Sequence, residues 1–187
     1  MGNYQNAGAG LKKMFIAEIG AIICTVLMII PIINIFAAIA LLVFGIISLV
    51  GLYGAGKDIA GCKTAFILTI VKLIVSFISG LIRTGVLHTV FNVANYVFGL
   101  LIIYFVCTSV AEVMNQVGAA DIANKGLTVW KINLVCYIIL IVTNIVAAIP
   151  VINIVAAVVS IITSIVSIVA DIIYMIFLNQ AYKALGA

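Results

Sequence analysis

The residue most able to do chemistry in this chain is Lys72. It sits inside a long apolar run, nine positions past Lys63, or ~13 Å further along a helix at 1.5 Å per residue. A charge near the middle of a bilayer costs about 2.5–3.5 kcal/mol, so it needs an opposite charge or water. Three acids could supply the charge: Glu18, Glu112 and Asp171. All three fall in the half of their apolar run that lies nearer the basic loops. An acid that exchanges its pairing with Lys72 would make an ion or proton site. A fixed pair would instead lock the packing of two helices. A third option is that the lysine stem carries its ammonium towards the headgroups.

Lys72 belongs to a polar stripe. Ala65, Thr69, Lys72, Ser76, Ser79, Gly80 and Arg83 recur at steps of three and four and so share one helix face. Ala156, Ser160, Ser164, Ser167 and Asp171 form a second stripe, and Asn133, Cys136, Thr143 and Asn144 a weaker third. Such stripes can line a polar seam or cavity. They also suit dry packing, because small residues let membrane helices approach and hydroxyls bond across them.

Other chemistries find no support. There is no Gly-rich phosphate loop, no His-Glu-x-x-His run and no Gly-x-Ser-x-Gly elbow, so no catalytic residues are assigned. Intramembrane proteolysis would need two deep aspartates, and Asp171 is the only clear one. Cys24, Cys62, Cys107 and Cys136 lack metal-ligand spacing and read as small buried hydrophobes. No metal or cofactor is expected. The single histidine, His88, reads as a solvated loop residue.

The elements that position these residues are helices in lipid. Of the 187 residues, 67% are hydrophobic and 7% charged, with a mean hydropathy of +1.46. An ordinary soluble domain carries about 25% charge. The apolar runs are continuous and about 20 residues long, as spanning helices require. Alternating barrel strands are absent. The expected helices cover about 14–30, 35–52, 64–82, 93–114, 132–148 and 154–178. A short polar tail, residues 1–13, precedes them.

The runs are organised as repeats. Pro31-Ile32-Ile33-Asn34-Ile35-Phe36-Ala37-Ala38 recurs as Pro150-Val151-Ile152-Asn153-Ile154-Val155-Ala156-Ala157, with a weaker copy at Phe91-Asn92-Val93-Ala94. Proline stops one helix, and Asn34, Asn92 and Asn153 are positioned to cap the next. The reading is three tandem hairpins in parallel orientation within one transmembrane domain: 14–62, 63–120 and 121–187. Mitochondrial carriers share that architecture, but their proline is followed by an acidic residue. Here Ile and Val follow Pro31 and Pro150, so no family is identified.

Topology follows from basic residues. Lys12, Lys13, Lys57, Lys63, Lys125, Lys131 and Lys183 fall on one side, and Arg83 alone on the other. The lysine-rich side is the cytoplasmic one, which places both termini inside the cell and the protein in the plasma membrane. The net charge of +4 is dispersed over helix ends, which argues against a nucleic-acid partner. The partners expected are the lipid bilayer and either further copies of the chain or other membrane subunits. The sequence thus describes an all-α integral membrane protein of six transmembrane helices and no enzymatic activity. The function expected is a transporter, channel or solute-binding subunit with a polar seam on helices 3, 5 and 6. The alternative is a scaffold that oligomerises through small-residue faces.

Overall fold

The computed structural model describes residues 4–28, 30–82, 85–146 and 153–186, without the side chains of 153–158, 160, 161 and 164. Six helices follow one another: α1 Gln5–Leu27, α2 Asn34–Ala55, α3 Ala60–Leu81, α4 Val86–Gln116, α5 Ala120–Val146 and α6 Asn153–Ala184. Five of them, α2 to α6, carry a stretch long and apolar enough to cross a bilayer. The 23 residues of α1 are long enough too, but Lys12, Lys13 and Glu18 interrupt their apolarity. These helices fit a membrane protein. Ile35, Phe36, Ile39, Leu42 and Ile46 stand exposed along α2, a face that suits hydrocarbon rather than water.

The helices form a closed ring. Each packs on its neighbours in sequence, and α6 returns to α1, with α2 against α3 the slightest contact of the six. The ends of the bundle are distinguishable. Phe15 of α1 stacks with Tyr182 of α6, ring centroids 5.7 Å apart, so both termini lie at one end. The α2–α3 turn lies there as well: Asp58 accepts from the backbone N–H of Ala7 at 2.8 Å and from Asn6 Nδ2 at 3.1 Å. Asp58 therefore caps the first turn of α1 from the α2–α3 turn and opposes its dipole. The α4–α5 turn is tied to the same end, where Tyr4 donates to Gln116 at 2.6 Å. In that turn Gly118 takes φ +80°. The Ala119 N–H bonds the Met114 carbonyl and the Gly118 N–H bonds that of Asn115, a Schellman termination that favours glycine.

This end is densely filled. Leu11, Val106, Val110, Met114, Phe177 and Leu178 are fully buried there in one cluster. Close approach tightens it further. A Cβ on Gly10 would run into the backbone of Gly51 and Ala55, so α1 and α2 meet backbone to backbone at this point.

Several expectations need correction. The residues read as a polar tail are helical from Gln5 onward, because Asp58 caps them and Ala7, Gly8 and Gly10 bury against the bundle. Asp121, Lys125 and Lys131 lie in the first four turns of α5, not in a loop. Asn92 lies inside α4, which starts at Val86 after Gly85, so it caps nothing. Asn34 makes no capping bond. Its own N–H is already taken by the Ile30 carbonyl, so helical geometry begins one position too early for a side-chain cap. Asn153 begins α6, but its side chain, Arg83, and Pro150 to Ile152 lie outside what is described.

Candidate functional site

The site is built at one level of the ring. Glu18 lies thirteen residues from the start of α1, Lys72 twelve from the start of α3, Asn133 thirteen from the start of α5, and Asp171 thirteen from the end of α6. All four helix ends counted belong to the terminus-bearing end. At 1.5 Å per residue the four side chains sit ~18–20 Å from it. The level lies just beyond the dense cluster, where Asp171 precedes Phe177 and Leu178 along α6.

A cavity opens on the axis at this level. One part, of about 300 Å³, is lined by Lys72, Asn95, Tyr96, Tyr137, Ser167 and Asp171 among others. An adjoining part, of about 260 Å³, shares Lys72, Tyr137 and Asp171 and adds Glu18, Ser48 and Thr69. Glu18 and Asp171 also flank a smaller cleft of about 80 Å³ with Thr25. Together these parts take side chains from all six helices.

The charges within it are unpaired. No hydrogen bond or ion pair reaches Lys72, Glu18 or Asp171, and no fully enclosed side-chain nitrogen or oxygen among the described residues lacks a partner. The three charged groups are therefore open to the cavity rather than sealed in apolar packing. A bilayer-spanning protein tolerates such groups where they line a polar space. The fixed ion pair considered for Lys72 is not formed.

The wall between these charges is a hydrogen-bonded framework. Ser76 Oγ donates to Asn95 Oδ1 at 2.7 Å, and Ser79 Oγ to Asn92 Oδ1 at 3.1 Å, joining α3 to α4. His88 lies against Asn92 at 3.3 Å within α4 and is half-buried, not a solvated loop residue. Asn144 Nδ2 donates to Tyr96 Oη at 3.3 Å, joining α4 to α5. Thr69, Thr143 and Thr163 bond the carbonyl four residues back in their own helices. The Asn133 amide does the same, to Val129 at 3.0 Å.

The structure thus brings together Lys72, Glu18, Asp171, Thr69 and Ser167, with Ser76 and Asn144 in the supporting wall. It separates Glu112, which is exposed four residues before the end of α4. That acid is not a partner for Lys72. The side chains of Ser160 and Ser164 lie outside the description. Asn95, Tyr96, Tyr137 and Tyr174 are additions. The first two had a legible signal: His88, Asn92, Asn95, Tyr96 and Gly99 recur at helical spacing along α4. Tyr137 and Tyr174 had none, since a tyrosine in an apolar run looks like core.

No family model, curated protein or solved structure matches this chain.

Proposed function

We propose that this protein is a small multi-pass membrane transporter, channel or solute-binding subunit, with the solute held at the axis of a six-helix ring. The observation that carries this reading is the cavity containing Lys72, Glu18 and Asp171 without an ion pair among them. Dry packing would satisfy these groups against one another or exclude them. The tandem-hairpin origin, with both termini in the cytoplasm of a plasma-membrane protein, is part of the same reading. It rests on the outer-turn match and on Lys12, Lys13, Lys57, Lys63, Lys125 and Lys183 towards the terminus-bearing end; Lys131 stands eleven residues into α5, near the level of Asn133. α1 then serves as the sixth span, its lysines at the headgroups and Glu18 turned to the axis. The cavity would be reached from the outer side, since the dense cluster closes the other.

Proteoliposome uptake tests the proposal. A panel of radiolabelled small polar solutes is offered to vesicles holding the wild-type chain or Lys72→Met. At least one solute should enter wild-type vesicles faster than empty ones, and the Lys72→Met vesicles should lose that excess. Uptake indistinguishable from empty vesicles across the panel, with no solute bound, would overturn it.

A further inference from the structure

The charges of the cavity are segregated by helix. Lys72 is on α3 and Asp171 on α6, helices that stand opposite one another in the ring. Glu18, on α1 beside α6, lines the same space as Asp171. One wall is therefore cationic and the facing wall carries two carboxylates, and no ion pair spans them. A solute with a single charge meets one favourable wall and one repulsive wall. A solute with both charges satisfies both walls and neutralises groups that the bilayer otherwise penalises.

The neutral side chains divide the same way. Asn95 Oδ1 already accepts from Ser76, while both hydrogens of its amide nitrogen remain free to donate. Tyr96 Oη accepts from Asn144, which leaves its hydroxyl hydrogen to donate. Both residues line the larger part of the cavity with Lys72, so that wall offers donors from three side chains to an anionic group. Ionised carboxylates are acceptors only, whereas an ammonium carries three donors. Glu18 and Asp171 thus complement an ammonium. The size agrees: about 300 Å³ and about 260 Å³ stand at the lower bound of small-molecule sites.

We propose that the axial cavity binds a small zwitterion, its ammonium between Glu18 and Asp171 and its carboxylate on Lys72, Asn95 and Tyr96. The assignment rests on the reading of the cavity as a solute site and names the class of solute.

The test uses the full-length chain purified in mild detergent. Thermal unfolding is followed with glycine, β-alanine and 4-aminobutanoate, which hold the same two charges at increasing separation, and with the half-molecules ethylamine and propanoate. At least one zwitterion should raise the melting temperature, and neither half-molecule should do so at equal concentration. Lys72→Gln and Asp171→Asn should each weaken zwitterion binding by about tenfold or more, as expected for losing a charge-assisted hydrogen bond. If one variant fails to fold, the other carries the test from the opposite wall. Ethylamine acting as strongly as the zwitterions would make this a cation site, and propanoate doing so an anion site; either overturns the proposal. A Ser167→Cys chain separates the remaining failures. If no zwitterion binds yet that cysteine reacts with a water-soluble thiol reagent, the zwitterion assignment falls and the solute cavity stands. If it neither binds nor reacts, both fall.

Discussion

The two ends of the helical ring are made from the same residue types and behave differently. At the terminus-bearing end, Gly10 and Gly51 bring α1 and α2 into backbone contact. Asp58, Gln116 and Gln180 tie segments distant in sequence together there, and Phe177 and Met114 fill the interior. At the level of Lys72 and beyond it, polar side chains line the cavity and join α3 to α4 and α4 to α5. The difference teaches that a nearly uniform apolar composition does not give uniform packing. Small residues facing small residues close one end. Large polar side chains, Tyr96, Tyr137 and Asn95, line the cavity at the level next to it.

Substitutions can break that comparison, beginning where packing is tightest. Gly10→Ala should destabilise the protein by about 1–3 kcal/mol or more, because the methyl group meets backbone atoms that no rotamer change can move. A lowered melting temperature in detergent would report it. Asp58→Ala should cost about 0.5–2 kcal/mol, the usual loss for a helix cap, and should expose the α1 amides to hydrogen exchange first. Lys72→Met should change stability by less than about 1 kcal/mol. Breaking a buried ion pair would cost about 3–5 kcal/mol, so a loss of that size would show that Lys72 is structurally paired after all. The smallest effect belongs to Gly80→Ala, within about 0.5 kcal/mol of wild type, since Gly80 lies on the exposed face of α3 and an added Cβ would meet nothing. A Gly80 effect as destabilising as that of Gly10 would show that Gly80 is packed rather than exposed.

Much of the architecture was legible from residue order. Continuous apolar runs mark the helices, and a Lys72 without a sequence-local partner marks the level of the site. Helix ends were less legible. Apolarity ends where the hydrocarbon ends, but hydrogen bonding continues. α5 therefore begins at Ala120 and α1 at Gln5, carrying Lys131, Lys12 and Lys13 on helical turns. Asn92 illustrates the same limit. Its likeness to Asn34 suggests a cap, but its side chain accepts from Ser79 across a helix pair, and only the fold reveals that. Which acids face Lys72 was also hidden. Glu18 and Asp171 share its level through ring closure between α1 and α6, a contact far apart in sequence, whereas Glu112 turns outward.

Thiol labelling tests the central claim, an open polar axis beside a sealed end. The four native cysteines are buried, and Cys62 and Cys107 belong to the sealed cluster, so they serve as internal controls. Intact cells expressing the wild-type chain or Ser167→Cys are treated with a membrane-impermeant thiol reagent, with Ile32→Cys on the exposed α1–α2 turn as the positive control. The account predicts labelling of Ser167→Cys and Ile32→Cys and none of the wild type. Ser167→Cys as silent as the wild type, while Ile32→Cys reacts, would contradict it.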